Sequence, residues 1–149
     1  MVNLKNLLTT LLAVTLFVSM GANAQERSYI NPNSASDPSA TPFSGAVLTD
    51  NTLYLSGMLG LENGQVPTDP AAEARNVLDA IKSALEEANM TMDDLVSVQI
   101  FCSDLSHYAV FNEVYRTYFT QAFPARAFVG AGSLLFDARF EIQAIAVKR

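Results

Sequence analysis

Residues 69–102 read DPAAEARNVLDAIKSALEEANMTMDDLVSVQIFC, and within them the spacing of apolar residues changes from a helical to a strand period. Asp69 suits the N-cap of a helix and Pro70 suits its first position. Apolar residues then recur every three or four positions, which predicts an amphipathic helix that stops near Asn89. In Leu95–Cys102 apolar residues alternate with others, which is typical of a strand with one buried side. The stretch therefore predicts a helix followed by a strand.

Two short apolar runs precede this helix. Residues 25–42 are rich in Asn, Pro, Ser and Ala, so we expect an extended arm with turns there. Phe43–Leu48 and Thr52–Ser56 flank a short polar turn, and this arrangement predicts a β-hairpin.

A second helix and two strands follow Cys102. Ser106 is a suitable cap for a helix with an aromatic stripe, which we expect to end at Pro124. Ala125–Val129 and Phe136–Val147 are the last two predicted strands. The order β-β-α-β-α-β-β predicts an α+β domain with one sheet and both helices on one of its faces. The other face is left uncovered, and a subunit partner could cover it.

The N-terminal segment has the pattern of an export signal. Lys5 supplies a positive charge, Leu7–Met20 is an apolar stretch, and Ala22-Asn23-Ala24 is an A-x-A cleavage site. We predict a signal peptide over residues 1–24, cleavage after Ala24 and a domain over residues 25–149, in the periplasm or secreted. The alternative is a retained membrane anchor, but the apolar stretch is shorter than the ~20 residues that span a bilayer.

Composition excludes several classes of function. The chain has 149 residues, a net charge of −6, one Cys and one His. An acidic chain is a poor partner for nucleic acid or for an anionic membrane surface, because both contacts need positive charge. One Cys excludes a disulfide framework within the chain and a multi-cysteine zinc site. We interpret this residue, Cys102, as a small buried apolar side chain rather than as a nucleophile.

Arg126 and Glu141 each interrupt an otherwise apolar strand. A hairpin centred between Ser133 and Leu134 would place them directly opposite each other, with Cβ atoms ~5 Å apart. Such a pair is either a structural ion pair or part of a site in which the guanidinium binds a substrate carboxylate and the glutamate orients a water molecule. The residue pattern alone leaves both interpretations open.

From about Pro32 to Val147 the chain resembles the RidA family, the YjgF-like reactive intermediate deaminases. The most specific combination is Pro124-Ala125-Arg126 with the terminal strand Glu141-Ile142-Gln143-Ala144-Ile145-Ala146. Further matching pieces are Thr41-Pro42-Phe43-Ser44, Leu55-Ser56-Gly57, Asn76-Val77-Leu78, the segment from Val98 to Asp104 and Phe111-Asn112-Glu113-Val114-Tyr115.

This resemblance implies a chorismate-mutase-like α+β fold, a homotrimer and small-molecule sites in the clefts between subunits. It implies hydrolysis of 2-imino or enamine acids, such as 2-aminoacrylate and 2-iminopropanoate, to 2-keto acids and ammonia, without a metal or organic cofactor. The family's carboxylate-binding arginine falls on Arg126, and its water-positioning glutamate falls on Glu141. The substrate-binding positions fall on Ser56, Gly57, Asn112, Phe43 and Phe128.

Four pocket positions differ from the family's usual residues. Phe43 replaces a tyrosine, Met58 a glutamine, Ala127 a serine and Phe128 a cysteine. In a strand, Phe128 lies on the same face as Arg126, so it makes the pocket narrower or more apolar. These changes motivate an alternative function, in which the cleft binds a small carboxylate ligand without chemistry.

Overall fold

The computed structural model describes residues 26–149, so the predicted signal peptide and its cleavage site lie outside the described residues. The chain folds around one six-stranded sheet with the strand order β1-β2-β3-β6-β4-β5. The strands are β1 (Arg27–Ile30), β2 (Ala46–Thr49), β3 (Thr52–Leu59), β4 (Leu95–Cys102), β5 (Ala125–Gly130) and β6 (Phe140–Val147); the helices are α1 (Pro70–Glu87) and α2 (Tyr108–Tyr115).

Helix α1 forms as its sequence predicts. The Asp69 side chain accepts a hydrogen bond from the backbone N–H of Ala71 at 2.9 Å, so it caps the first turn. The apolar stripe of α1 is buried against the sheet, together with Val98, Ile100 and Ile142 of β4 and β6. Both helices pack on one face of the sheet, which confirms the predicted α+β architecture.

Helix α2 is shorter than predicted. The Asp104 side chain, not Ser106, caps the turn before it, and the helix ends at Tyr115 rather than at Pro124. The reason lies in a competing acceptor: the Asp93 carboxylate accepts hydrogen bonds from the backbone N–H groups of Thr120 and Gln121, at 3.0 and 3.2 Å. These donors bond to a side chain from another part of the chain instead of continuing a helix.

The N-terminal arm includes a strand that the sequence did not predict. Strand β1 pairs antiparallel with β2, with Ile30 opposite Ala46. Its residues Arg27, Ser28 and Tyr29 are exposed and only Ile30 is buried, so the strand has no alternating apolar pattern. An edge strand of this kind is stabilised mainly by its backbone pairing with β2.

The predicted hairpin between the last two strands is wrong. Strand β4 lies between them: it pairs parallel with β5 and antiparallel with β6. Helix α2 forms the crossover that parallel neighbours β4 and β5 require. The chain then crosses from β5 to the far side of β4 and enters the gap beside β3, where β6 pairs on both of its edges.

The face of the sheet opposite the helices carries mixed side chains. It includes Tyr54, which is 49 % exposed, with Gln99, Gln143 and Ile145. A shallow hollow of about 250 Å³ lies among these residues. Among the helices of residues 26–149, none has the length and apolar character that crossing a bilayer requires.

Candidate active site

Arg126 lies on β5 and faces the helix side of the sheet. It pairs in register with Val98, which is buried beneath the helices. Its guanidinium carbon lies 4.7 Å from the ring centroid of Tyr115 on α2 and 5.8 Å from that of Phe128. Within residues 26–149 the guanidinium has no ion pair or hydrogen bond, so these aromatic rings hold it and its N–H donors stay available.

A cavity of about 180 Å³ opens beside this guanidinium. Its lining consists of the end of α2 and the start of β5: Asn112, Tyr115, Arg116, Phe123, Pro124 and Arg126. The structure therefore brings Asn112 and Arg126 together, as the family resemblance implies. It adds Tyr115, Arg116 and Phe123, which the sequence analysis did not assign to the site.

Tyr115 contributes a buried hydroxyl to this region. The residue is 3 % exposed, and its hydroxyl has no hydrogen-bond partner within the described part of the chain. Burial raises its pKa to about 12, which the nearby positive charge of Arg126 only partly offsets. The phenol is therefore neutral at physiological pH and retains its O–H donor.

Phe128 lies on the same face as Arg126, as the strand alternation predicts. Its ring contacts Tyr108 and Phe111 edge-on, with centroids 5.0 and 5.5 Å apart. It therefore supports the arginine from the core side and is not among the residues that line the cavity. Ala127, the next difference from the family pattern, lies on the opposite face of β5.

Glu141 lies on β6, on the other face of the sheet. It pairs with Phe101 of β4 and with Leu59 of β3, while its neighbours Phe140 and Ile142 are buried under the helices. A Cβ at Gly57 would collide with the Glu141 carboxylate oxygen and would lie 3.1 Å from its Cδ. Only glycine at position 57 leaves room for the carboxylate in this place.

Ser56 and Phe43 lie near this second group. The Ser56 hydroxyl donates a hydrogen bond to the backbone oxygen of Ser44 at 2.6 Å, so it fixes the loop before β2. Phe43, at the tip of that loop, is 54 % exposed, and its backbone oxygen accepts a hydrogen bond from Asn33 at 2.8 Å. Ser56, Gly57 and Glu141 thus form one cluster on β3 and β6, and the Ser56 hydrogen bond connects it to the loop that carries Phe43.

Arg126 and Glu141 do not face each other within one chain. They lie on opposite faces of the sheet, with β4 between their strands and with register partners three residues apart on β4, Val98 and Phe101. Standard strand spacing separates their backbones by about 10 Å across the sheet and about 10 Å along it. The predicted cross-strand pair is therefore wrong, both as an ion pair and as a joint site in one subunit.

A buried carboxylate holds the start of β6. Glu73 of α1 is 0 % exposed and accepts hydrogen bonds from the backbone N–H groups of Arg139 and Phe140, at 2.7 and 3.2 Å. It also forms an ion pair with the Arg139 guanidinium at 2.7 Å. In the sequence, the place of Glu73 four residues before Val77, on the apolar stripe, is the available signal of its burial.

The remaining reactive side chain is inert in this setting. Cys102 is fully buried, and its thiol donates a hydrogen bond to the backbone oxygen of Asp104 at 3.0 Å. Burial raises the pKa of this thiol, so the nucleophilic thiolate is disfavoured. This agrees with the interpretation of Cys102 as a small core residue. Within residues 26–149 no group of three or more His, Cys, Asp or Glu side chains is placed to hold a metal ion.

The fold defines a class, the single-sheet α+β proteins of the chorismate-mutase-like type, and this chain adds an unpaired arginine on its edge strand β5. Solved structures share the fold. The crystal structure of the YjgF gene product from Escherichia coli is 34% identical, covers 82% of this chain and 100% of its own, and gives a TM-score of 0.72. The crystal structure of Escherichia coli TdcF with bound serine is 27% identical, with a TM-score of 0.73 over 82% of this chain and 100% of that one.

The family is also shown by sequence. Residues 34–148 match the family model described as endoribonuclease L-PSP. The 2-iminobutanoate/2-iminopropanoate deaminase of Bos taurus is 39% identical over 110 residues, 72% of this chain and 80% of the bovine protein. The Escherichia coli K12 protein of the same name is 37% identical over 113 residues, 72% of this chain and 88% of its own. The chain belongs to this family, which is the RidA-like family that its motifs resemble.

Proposed function

We propose that the protein hydrolyses 2-imino and enamine acids, of the 2-aminoacrylate and 2-iminopropanoate type, to 2-keto acids and ammonia. One observation carries the proposal: Arg126 presents an unpaired guanidinium to a small cavity in a chain whose relatives are named imine deaminases. A guanidinium matches a carboxylate in a bidentate geometry, so it suits the acid group that these substrates share. The serine bound by the related TdcF is also a small carboxylate-bearing molecule.

In the proposed mechanism the residues around Arg126 bind the substrate, and the residues around Glu141 position the water molecule. Arg126 anchors the substrate carboxylate, with Asn112 beside it at the cavity wall. Glu141, which Gly57 leaves room for, holds a water molecule against the C=N carbon. Attack of the water oxygen gives a carbinolamine, proton transfer to nitrogen follows, and ammonia leaves as the C=O bond forms. Because imines hydrolyse readily in water, positioning accounts for the catalysis.

This mechanism requires two subunits. Arg126 and Glu141 lie on opposite faces of one sheet, so a complete site forms only where the uncovered face of one copy meets the arginine edge of another. The uncovered face with its Tyr54, Gln99 and Gln143 side chains offers a surface for such a contact. We therefore propose a homotrimer with sites in the clefts between subunits. In such a closed ring every copy makes the same contacts with its two neighbours.

The proposal is tested by generating 2-iminopropanoate in place with an amino-acid oxidase and following its decay. We expect the full chain to accelerate decay and Arg126→Ala to abolish the acceleration while the oligomer persists in light scattering. Arg27→Gln on β1, at the opposite edge of the sheet, is the charge-matched control and retains turnover. Equal turnover by Arg126→Ala and wild type contradicts the assigned role.

A second candidate function is binding without chemistry. Phe43 is exposed and lacks the hydroxyl of the family's usual tyrosine, and Met58 replaces the family's glutamine. A cleft with these changes still offers Arg126 to a carboxylate. Stoichiometric binding of a 2-oxo acid without release of ammonia from any imine supports this function, and clear turnover removes it.

We also propose export of the mature domain, residues 25–149, to the periplasm or the medium. The proposal rests on the charge, apolar stretch and A-x-A motif of residues 1–24. Mass spectrometry of the N-terminus after expression with its own leader tests it, and an N-terminus other than Gln25 contradicts the predicted cleavage.

A further inference from the structure

A second arginine lines the cavity beside Arg126. Arg116, just after the end of α2, contributes to the same wall as Asn112 and Phe123. Its guanidinium carbon lies 5.8 Å from the centroid of the Phe123 ring. Like Arg126, it has no carboxylate within 4.0 Å and no hydrogen bond among the residues that the structure describes.

The two guanidinium groups are held in the same way. Arg126 lies over the Tyr115 ring, Arg116 lies near the Phe123 ring, and these two rings are themselves stacked with centroids 6.2 Å apart. Contact with a ring face stabilises a cation without using its N–H donors. Both arginines therefore keep their hydrogen-bonding edges free for a ligand.

Arg116 and Arg126 are two unpaired cations that line one small cavity of this acidic chain, whereas Arg27 and Lys148, which are also unpaired among the described residues, lie elsewhere. The net charge is −6, and Arg75, Arg139 and Arg149 each form an ion pair with a carboxylate. Glu113, one helical turn before Arg116, forms none with it. Two like charges that share a cavity repel each other, and a single carboxylate ligand neutralises only one of them.

We propose that the cavity takes a ligand with two anionic groups, a 2-imino dicarboxylate as substrate and the matching 2-oxo dicarboxylate as product. This inference rests on the proposed function for the reacting end of the ligand, where Arg126 binds the carboxylate next to the C=N carbon. Arg116 binds the distal carboxylate. The cavity of about 180 Å³ suits a small acid rather than a bulky ligand.

The test compares two ligands that differ in charge and hardly in shape. We expect 2-oxoglutarate to bind the full chain at least about tenfold more tightly than its 5-methyl ester, which stays an open chain but lacks the distal charge, since hydrogen bonds to charged groups are the stronger ones. Isothermal titration calorimetry at fixed ionic strength gives both affinities. Equal affinity for the two ligands overturns the proposal.

Variants assign the preference to Arg116. In Arg116→Gln we expect the preference for 2-oxoglutarate over the 5-methyl ester to fall to about twofold or less. Arg27→Gln removes the same charge at the far edge of the sheet and retains the preference, which controls for the overall change in net charge. A preference that survives Arg116→Gln, or that Arg27→Gln lowers equally, overturns the assignment.

These binding measurements do not depend on turnover. If the chain hydrolyses 2-iminopropanoate but shows no charge preference, the dicarboxylate inference fails and the proposed function stands. If the charge preference is present and no imine is hydrolysed, the proposed deaminase function fails and the cavity is a dicarboxylate-binding site.

Discussion

Gly57 illustrates how a single residue sets the geometry of the site. It lies where β3 departs from regular pairing with β6, between Leu55 and Met58, and its Cα faces the Glu141 carboxylate. The sequence marks it only as one half of a Ser-Gly pair. The structure shows the physical requirement, which is the absence of a side chain under the glutamate.

We expect Gly57→Ala to displace the Glu141 carboxylate. The added methyl group overlaps an oxygen at the flexible end of the Glu141 side chain, so the carboxylate moves aside and the free energy of unfolding should change little. Imine turnover should fall at least tenfold if Glu141 holds the water molecule. Urea unfolding and the oxidase-coupled assay measure the two effects.

Gly132→Ala is the matched control for this variant. A Cβ at Gly132 meets no atom within 4 Å, so stability and turnover should stay near the wild-type values. Wild-type turnover in Gly57→Ala contradicts a role for the glutamate at this position.

At the scale of elements, the contact between α1 and the start of β6 determines where Glu141 lies. The Glu73 carboxylate bonds to two consecutive backbone N–H groups directly before Glu141, and the Arg139 guanidinium closes over it with further hydrogen bonds to Pro67 and Thr68. Gly60, at the end of β3, has no room for a side chain against the Glu73 backbone. One helix residue thus connects both strands of the Glu141 cluster.

We expect Glu73→Gln to lower the free energy of unfolding by about 2–4 kcal/mol, because it leaves the Arg139 charge without its partner. The Arg139 side chain is 25% exposed, so water offsets part of the loss. Urea unfolding measures the change.

Glu86→Gln is the control for the loss of a helix carboxylate. Glu86 forms a long, exposed pair with Lys82 at 3.9 Å, so its replacement should change stability by less than about 0.5 kcal/mol. Equal losses of unfolding free energy in the two variants would contradict a larger contribution from the buried Glu73–Arg139 pair.

At the scale of the whole molecule, the sheet itself separates the two halves of the candidate site. Strand β4, in its middle, carries the register partners of both Arg126 and Glu141, yet it directs the two side chains to opposite faces. Assembly is therefore part of the proposed mechanism, because no movement of side chains within one copy brings the two groups together.

Mixed oligomers test this arrangement. We expect Arg126→Ala and Glu141→Gln to be inactive alone, whereas a refolded equimolar mixture regains about a quarter of the wild-type activity, since every mixed trimer has one intact site. Mixing without subunit exchange is the control and should give no activity. No recovery after verified exchange contradicts a shared site.

Local signals in the sequence predicted much of the fold. The Asp69 cap, the apolar stripe of α1 and the alternation of β4 from Val98 to Cys102 are properties of neighbouring residues, and the structure has all three. The last strand begins at Phe140 rather than at the predicted Phe136, which lies in a turn. Strand β1, which pairs with β2, was not predicted because most of its residues are exposed. Its sequence therefore has no alternation of apolar and polar residues.

The amino-acid sequence by itself determined the α+β class, the family and the identity of the candidate residues, because helix caps, apolar periods and short motifs are local. Only the tertiary structure decided that β4 separates β5 from β6, that Glu73 is buried, and that Arg116 and Arg126 share a cavity. The physical reason is that strand order and side-chain neighbourhoods arise from pairing between distant segments. The spacing of residues along the chain does not determine which strands become neighbours.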